Sequence, residues 1–377
     1  MSSEFQIIPL SRQPKDVHRF LQVSYGVYRN DPLWVAPLLM DLKKVFSDRN
    51  PLFQHAEMNL WVATHNGRDV GRIAGIWDRA HNETQQDSAA FFGFFESIDD
   101  RQVSGQLFEA VFSWARQKNL RRVLGPMNPT SNDECGLLVE GFDSSPVCMM
   151  TYNPRYYVDL VLAAGFQKAK DLLAFHFGVA ETPLERLERI AAKFRHRQPN
   201  LKLRPVRRKT LAEDLAKIKE VYNEAWEQNW GFVPMTDAEL NFMAARLKPM
   251  LMEGLIWLVE APDEAAGFLL ALPDFNEAIR PLRGRLLTPK ILGFLPYLFG
   301  WKKPALVRAI ILGVKEKFRG RGLESAMLAE GLKASIHAGF HGCEASWILE
   351  DNVKIQRVIE FFGGTPYKTY RLYERNL

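Results

Sequence analysis

The sequence predicts an α/β protein of two similar halves, each a mixed, mostly antiparallel sheet flanked by helices. Three patterns predict this fold class: strand pairs joined by tight turns, strands followed directly by amphipathic helices, and the return of the same element order in the second half. The length of 377 residues is long for one domain and comfortable for two.

Two parts of the chain have similar sequence patterns at a nearly constant spacing. Residues 5–10 open the first half with a strand pattern, residues 201–206 open the second, and each precedes a helical stretch. The helical patterns 156–164 and 355–362 each lead through glycine into a final strand. Such a repeat indicates a tandem duplication of one α/β unit.

The duplication predicts three parts of the chain. They are an N-terminal domain over 1–180, a charged linker helix over 181–200 and a C-terminal domain over 201–377. Within the C-terminal domain, residues 278–304 form a basic, apolar insertion between two strands that a short turn would normally join.

The elements of the first half follow from its hydrophobic pattern. Strands 60–64 and 69–77 flank Asn66-Gly67, a strong signal for a two-residue hairpin turn. The pattern then predicts strand 89–96, helix 105–118 and strand 121–124.

The second half repeats this order. Strands 256–260 and 265–272 form another hairpin, and the apolar run 309–314 predicts a buried strand before helix 325–336. A second apolar strand, 343–349, then leads through Glu350-Asp351-Asn352 into a helix over 353–362.

A basic, glycine-rich turn joins strand 309–314 to its helix. Arg319-Gly320-Arg321-Gly322 offers an anion exposed N–H groups, the positive end of a helix dipole and glycines that allow close approach. The dinucleotide-binding fingerprint fails because position 325 is Ser, and no Gly-Lys-Ser/Thr of a P-loop follows. The turn therefore predicts binding of a phosphorylated cofactor.

These motifs resemble the cofactor-binding core of the GNAT superfamily of acyl-CoA-dependent acyltransferases. Arg319 and Gly322 match the superfamily's Arg-x-x-Gly-x-Gly/Ala turn, and strand 343–349, Asn352 and the following helix match its second half. The resemblance implies that pantetheine pairs with the edge of strand 309–314 and that the diphosphate takes N–H donors from 319–324. The implied acyl-CoA-binding residues are Leu312, Gly313, Val314, Arg319, Gly320, Arg321, Gly322, Leu323, Glu324 and Asn352.

The sequence departs from the superfamily pattern at two positions. Glu324 stands where Gly or Ala is usual, and a carboxylate ~4 Å from a phosphate costs about 1 kcal/mol in water and about 4 kcal/mol at an effective dielectric constant near 20. Ile359 stands where many members have the Tyr that protonates the leaving thiolate. Another group or water must then protonate that thiolate.

An amine acceptor needs a base, because at pH 7 it is almost wholly protonated. Our candidates are Glu350 at the end of strand 343–349, Asp133 and Glu134 in the polar loop 128–136, and His81 after the hairpin. Each also fits a simpler role as a helix cap, a turn-stabilising residue or a satisfied histidine. Asn352 likewise fits a helix cap.

The basic, apolar insertion helps to identify which branch of the GNAT superfamily the chain resembles. Residues 278–304 contain no acidic side chain, and Lys and Arg flank Leu, Phe and Trp, which suits an anionic membrane surface or a lid over an acyl chain. A loop packed on its own domain is the simpler alternative. With the segments 132–143, 346–352 and 368–374, the chain is similar to a bacterial GNAT-like branch that includes bacterial ceramide synthases, which move a fatty acyl group from CoA to a long-chain amino alcohol.

Composition sets the remaining expectations. A net charge of +5 favours an anionic partner, for which CoA, a membrane surface and RNA all qualify. The odd number of cysteines (Cys135, Cys148 and Cys343) and the lack of a leader or an apolar span predict a cytoplasmic protein. The insertion at 278–304 predicts that it is peripheral at the inner face of the membrane. Neither cysteines nor histidines have metal-ligand spacing, so we expect no metal.

The sequence thus predicts an acyl-CoA-dependent N-acyltransferase that acts on an amine with a long apolar chain, such as a sphingoid base. One alternative is a tandem-unit enzyme that takes an aminoacyl group from tRNA, although we do not expect nucleic acid as a partner. The other is a non-catalytic module that binds CoA or a membrane.

Overall fold

The computed structural model describes residues 5–179, 182–227 and 229–377. Helices and strands alternate along the described chain, and the strands form mixed sheets. The predicted α/β class is confirmed.

The elements of the N-terminal half follow in chain order: β1 (Gln6–Leu10), α1 (Pro14–Val27), α2 (Leu39–Val45), β2 (Ala56–His65), β3 (Arg68–Asp78), α3 (Arg79–Gln85), β4 (Ala89–Ser97), α4 (Arg101–Gln117), β5 (Arg122–Gly125), β6 (Met127–Asn128), β7 (Glu134–Cys135), β8 (Leu137–Glu140), α5 (Tyr157–Ala163) and β9 (Gln167–Gly178).

The elements of the C-terminal half are α6 (Leu184–Arg197), β10 (Lys202–Pro205), α7 (Leu211–Ala225), α8 (Asp237–Leu247), β11 (Ile256–Glu260), β12 (Ala265–Pro273), α9 (Asn276–Ile279), α10 (Ile291–Leu298), β13 (Leu306–Val314), α11 (Leu323–His337), β14 (Gly342–Leu349), α12 (Val353–Phe361) and β15 (Thr365–Asn376).

The described chain folds into two compact units. The first contains the residues up to Leu172, the segment Ile279–Ile291 and the C-terminal segment Lys368–Leu377. The second contains Leu173–Ala278 and Leu292–Tyr367. Most of β15, the last strand of the chain, therefore counts with the N-terminal unit. The division at 1–180, 181–200 and 201–377 stays a prediction from the sequence.

In the first unit, strands β1 to β5 lie side by side in chain order, and the C-terminal part of β15 pairs antiparallel with β5. Asn66 and Gly67 turn the β2–β3 hairpin with φ of 50° and 73°, which fits the expected turn. Strand β4 is parallel to β5 over Ala89–Phe91 only. The apolar side of α4 packs on this sheet through buried residues such as Leu107 and Val111.

In the second unit, β14, β13, β12, β11 and β10 are neighbours in that order, and only the β13–β14 pair is parallel. Successive residues of β12 belong to two separate apolar clusters: Leu269 packs with α11, and Phe268 packs with α7. Successive side chains of a strand point to opposite faces. Helices α7 and α11 therefore cover opposite faces of this sheet.

Candidate functional site

The candidate site begins where β13 and β14 separate. The two strands pair only from Leu306↔Gly342 to Ala309↔Ala345, although β13 continues to Val314. On its other side, β13 pairs with β12 through Ala309↔Ala271 and Ile311↔Leu270, so Ile310 is an extra residue in a β-bulge. The β14-facing edge of residues 310–314 pairs with no strand in the described chain, and its backbone groups are available to a ligand.

Strand β13 leads directly into an uncapped helix. Gly320 and Gly322 have φ of 74° and 86°, a conformation that favours glycine, and α11 starts at Leu323. No side chain caps the helix, and the backbone N–H groups of residues 320–324 find no acceptor in the described chain. A helix N-terminus with free N–H groups binds anions well. These donors fit a diphosphate.

The two arginines of this turn have different surroundings. Arg319 donates from Nε to the carbonyl of Val314 at 3.1 Å and from Nη2 to the carbonyl of Ala225 at 2.8 Å. Its guanidinium therefore ties the turn to the ends of β13 and α7. Arg321 is exposed, with its guanidinium 5.4 Å from the centre of the Phe318 ring. It is the arginine better placed to meet a phosphate.

The residues before the turn hold the end of β13 in place. A Cβ on Gly313 would lie 2.1 Å from the Trp226 ring, so only glycine lets the indole cross the strand here. Lys315 is buried, and its Nζ lies 2.9 Å from Glu224 and 3.0 Å from Glu264, with Glu220 as a third carboxylate partner. Hydrogen bonds to these carboxylates outweigh burial and raise the pKa of Lys315.

The remaining predicted cofactor residues line the same strand and helix. Leu312 and Val314 lie on the open part of β13, and both pack against the core under α11. Leu323 is fully buried at the first position of α11. Glu324 follows it, partly buried in the first turn, and makes no ion pair in the described chain. No ion pair therefore neutralises this carboxylate, and the predicted repulsion between it and a phosphate remains.

The residues after β14 act largely on the helix that follows. Asn352 accepts a hydrogen bond from the backbone N–H of Ile355 at 3.4 Å and so caps α12. Glu350 is partly exposed just past the end of β14, and its carbonyl accepts a hydrogen bond from Gln356 at 3.0 Å. Ile359 is buried in the core, which agrees with its lacking a chemical role.

The other predicted acid–base residues lie in the first unit. His81 is buried on α3, where its ring packs edge-on against Phe91 at 4.7 Å and burial lowers its pKa. Asp133 accepts a hydrogen bond from the Thr130 hydroxyl at 2.8 Å, and Glu134 lies on β7 opposite Asn128. These roles for Glu350, Asp133, Glu134 and His81 stay predictions.

A polar cluster in the second unit was not predicted from the sequence. Arg308 on β13 and Glu344 on β14 are directly opposite in the last paired stretch, and both are almost completely buried. Ser346 and Tyr367 complete the group, which we call the Arg308 cluster. Charged residues inside two otherwise apolar strands were the signal that could have revealed it.

The first unit has the same strand–turn–helix order, but residues of the protein itself occupy the edge of its strand and the start of its helix. A Cβ on Gly93 of β4 would lie 1.8 Å from the carbonyl of Met127, and the Asn128 side chain accepts the N–H of Phe94 at 2.6 Å. Asp100 caps α4 by accepting the N–H groups of Gln102 and Val103. In this region of the first unit, β4 therefore has no open edge beside Gly93, and Asp100 already accepts the donors that begin α4.

Neither a metal-ligand cluster nor a membrane-spanning helix is found among the described residues. No group of three or more His, Cys, Asp and Glu side chains there could hold a metal ion. Among the helices of residues 5–179, 182–227 and 229–377, none has the length and apolarity needed to cross a membrane.

Known proteins similar to this chain place it in a family. It is 34% identical over 392 aligned positions to a protein named bacterial ceramide synthase from Caulobacter vibrioides, across 100% of this chain and 98% of that protein. The chain belongs to the bacterial ceramide synthase family. A second relative, Protein YghO of Escherichia coli, is 30% identical over 376 positions, across 96% of this chain and 93% of its own length. No protein-family model matches the chain.

Solved structures similar to this chain show its fold. A tandem GNAT protein from the clavulanic acid biosynthesis pathway aligns with a TM-score of 0.60 at 12% identity, across 99% of this chain and 98% of that one. A GCN5-related N-acetyltransferase from Sphaerobacter thermophilus aligns with a TM-score of 0.54 at 13% identity, across 98% and 95%. The predicted GNAT resemblance is confirmed. The chain is an N-acyltransferase of tandem GNAT type.

Proposed function

We propose that this enzyme transfers an acyl group from a CoA thioester to an amine and binds the thioester on its second unit. Pantetheine would pair with the open edge of β13 over residues 310–314, and the diphosphate would lie at the N–H groups of residues 320–324. The observation that carries the proposal is the direct passage from an unpaired, bulged strand edge into an uncapped helix N-terminus.

The electrostatics of this turn support an anionic ligand. A helix N-terminus stabilises a nearby negative charge by about 0.3–1 kcal/mol at an exposed site, and charge-assisted hydrogen bonds from N–H groups add to this. Arg321 supplies a full positive charge beside it. Glu324 opposes binding, but one carboxylate is outweighed by several aligned donors and a cation.

We further propose that the acceptor is an amine with a long apolar chain, such as a sphingoid base, so that the product is an N-acylated amino alcohol. Two observations support this. A relative at 34% identity is named bacterial ceramide synthase. The insertion at 278–304 exposes large apolar side chains to solvent. Such a patch suits the binding of an apolar chain or a membrane better than the binding of a small polar acceptor.

The part of the insertion in the second unit supports a peripheral association with the inner face of the cytoplasmic membrane. Tyr297 anchors α10 by donating a hydrogen bond to Glu277 at 2.7 Å. Around this anchor, large apolar side chains are 60% to 80% exposed, and lysines follow them: Leu292, Leu298, Phe299, Trp301, Lys302 and Lys303. Exposed aromatic and aliphatic groups beside cations suit an anionic bilayer surface.

The test of the function is an acyl-transfer assay. Purified enzyme is incubated with palmitoyl-CoA and sphinganine, and thiol release and amide formation are followed by a thiol reagent and by mass spectrometry. We expect one amide for each thiol released and much slower turnover with acetyl-CoA. No turnover or binding of any acyl-CoA would contradict the proposal, and acyl transfer that requires charged tRNA would support the aminoacyl alternative.

The membrane association has its own test. In vesicle sedimentation, we expect binding to vesicles rich in phosphatidylglycerol and much weaker binding to phosphatidylcholine alone. The double variant Phe299→Ser, Trp301→Ser should lose most of this binding. Leu162→Ser, at another exposed leucine, is the control and should bind as the parent does. Equal binding by the double variant would contradict this part of the proposal.

A further inference from the structure

The Arg308 cluster is a connected set of polar groups at the point where β13 and β14 separate. Arg308 donates from Nε to the Ser346 hydroxyl oxygen at 3.0 Å and from Nη2 to the Ser346 carbonyl at 3.2 Å. The Ser346 hydroxyl donates to Glu344 at 2.5 Å, and the Tyr367 hydroxyl donates to the other oxygen of the same carboxylate. Arg308 Nε is 3.9 Å from Glu344.

The location of the cluster connects it with the proposed thioester site. Ala345 is the last residue of β14 that pairs with β13, and Ser346 follows it. Cys343 and Ala345 face the core under α11, so Glu344 and Ser346 lie on the other face of the sheet. The reactive end of a pantetheine chain along residues 310–314 would reach this junction.

Burying these charges needs a reason other than stability. Taking a carboxylate and a guanidinium out of water costs several kcal/mol per ion, and a buried pair often contributes no more than apolar residues of the same size. The difference in solvent exposure between two members of the cluster suggests a catalytic reason for burying these charges. Glu344 is almost completely buried, whereas Tyr367 is partly exposed. Of this hydrogen-bonded pair, Tyr367 is therefore the residue that a bound substrate can contact.

We propose that Tyr367 exchanges protons with the reacting groups and that Glu344 holds the transferred proton behind it. This inference rests on the proposed function and adds the residues that carry its proton transfers. It also supplies a group for the role that Ile359 leaves unfilled.

The proton balance of the reaction is complete with these residues. The acceptor ammonium gives a proton to Tyr367 while Tyr367 passes its own proton to Glu344. The neutral amine attacks the thioester carbon, the C–N bond forms and the C–S bond breaks. Glu344 returns its proton through Tyr367 to the departing thiolate. The nitrogen, which carries two protons after the attack, loses one to water and keeps the other as the amide N–H. The products are an amide, free CoA and one proton.

Arg308 is a positioning residue in this scheme. Its guanidinium holds Ser346 and faces the Glu344 carboxylate, and its Cζ lies 5.1 Å from the centre of the Trp347 ring. Arg308 and Ser346 face Glu344, and the His176 ring lies 5.8 Å from the Tyr367 ring between centres. Burial lowers the pKa of His176. Together, Arg308 and Ser346 hold the Glu344 carboxylate beside the Tyr367 hydroxyl.

The test compares Tyr367→Phe with Tyr373→Phe, a buried tyrosine of the same strand as a control. General acid–base catalysis contributes about 10²–10⁴-fold, so we expect kcat to fall by at least a hundredfold for Tyr367→Phe with KM for palmitoyl-CoA within threefold of the parent. Tyr373→Phe should keep the parent kcat. A kcat within threefold of the parent for Tyr367→Phe would overturn the proposal.

A second variant separates the carboxylate from the tyrosine. Glu344→Gln keeps the shape of the side chain but cannot take a proton, so we expect a similar loss of kcat and the loss of the acid limb of the kcat–pH profile. A variant that keeps this limb would contradict a role for Glu344. Should Glu344→Gln fail to fold, an acceptor amine with a pKa below the assay pH serves instead. With this amine, the kcat of Tyr367→Phe relative to the parent should be at least tenfold higher than with sphinganine. An unchanged ratio would count against the relay.

Palmitoyl-CoA binding by the parent and the variants, measured calorimetrically, distinguishes the two proposals. If the parent neither binds nor turns over acyl-CoA, the proposed function fails. If the parent is active and Tyr367→Phe is equally active, only the relay fails.

Discussion

Two regions of this protein have the same strand–turn–helix order but differ in whether the strand edge and the helix N-terminus already have partners within the chain. In the first unit, β4 separates from β5 after Phe91, and in the second, β13 separates from β14 after Ala309. Asn128 then occupies the opening beside β4, whereas residues 310–314 of β13 stay open. The first helix is capped by an aspartate and the second is not.

The difference shows that the fold alone does not make a binding site. Both units supply a divergent strand pair and a helix that begins beside it. Hydrogen bonds from Asn128 and Asp100 satisfy the backbone of the first unit, which favours its stability. The second unit leaves comparable groups unsatisfied, so they are available to a ligand. The candidate binding site is thus the region in which backbone groups of β13 and α11 lack hydrogen-bond partners within the described chain.

The largest expected effect comes from adding an acidic side chain to the second turn. In Gly322→Asp, the new carboxylate would compete for the N–H groups and repel a diphosphate. We expect affinity for palmitoyl-CoA to fall about a hundredfold, or about 2.7 kcal/mol, by calorimetry. Gly339→Asp is the control, since Gly339 follows the same helix with a similar φ of 82° and open space around it. Equal losses in both variants would mean that strain alone is responsible.

Reopening the first unit should affect stability and leave binding unchanged. Asn128→Ala removes the acceptor of the Phe94 N–H, and a buried donor left without a partner costs about 1–3 kcal/mol. We expect the free energy of unfolding, measured in urea, to fall by that amount, with unchanged affinity for palmitoyl-CoA. Asn59→Ala, at an exposed asparagine, should change neither quantity. A weaker thioester affinity in Asn128→Ala would show that the first unit also takes part in binding.

Removing the first helix cap should have a smaller effect of the same kind. Asp100→Ala leaves the N–H groups of Gln102 and Val103 without their acceptor. Loss of such a cap typically costs about 1 kcal/mol. Urea unfolding should show this decrease, and palmitoyl-CoA titration should show no change. A gain of thioester binding would mean that the aspartate alone had blocked a second site.

The smallest expected effect concerns the acidic residue already present in the second turn. Glu324→Gln removes a charge that repels phosphate by about 1 kcal/mol at ~4 Å in water. We expect affinity for palmitoyl-CoA to rise about fivefold at low salt and the gain to shrink at high salt. Weaker binding by Glu324→Gln would show that the carboxylate assists binding.

The sequence predicted the location of the second turn because the signal there is local. A strand pattern, two glycines and a helix pattern follow one another between residues 309 and 336, so no distant contact is needed to recognise them. The start of α4 was predicted at 105 but lies at Arg101, because Asp100 caps the helix one turn earlier. That cap is also a local signal, which the apolar periodicity alone did not reveal.

The parts that the sequence did not reveal depend on long-range contacts. The hydrogen bond from Arg319 to the carbonyl of Ala225 joins residues 94 positions apart in sequence, and the predicted contact of Arg319 with the cofactor stays a prediction. The Arg308 cluster joins β13, β14 and β15. Strand register brings Arg308 opposite Glu344, and a single-residue shift would place them on opposite faces. Sequence patterns do not specify such a register across separate strands.

Amide hydrogen exchange with and without palmitoyl-CoA tests the central claim most directly, because the two units are compared in one experiment. The account predicts slower exchange of the amides of residues 310–314 and 320–324 when the thioester is bound, and no change at residues 94–104. Unchanged exchange at both second-unit segments under saturating thioester, or protection confined to 94–104, would contradict it.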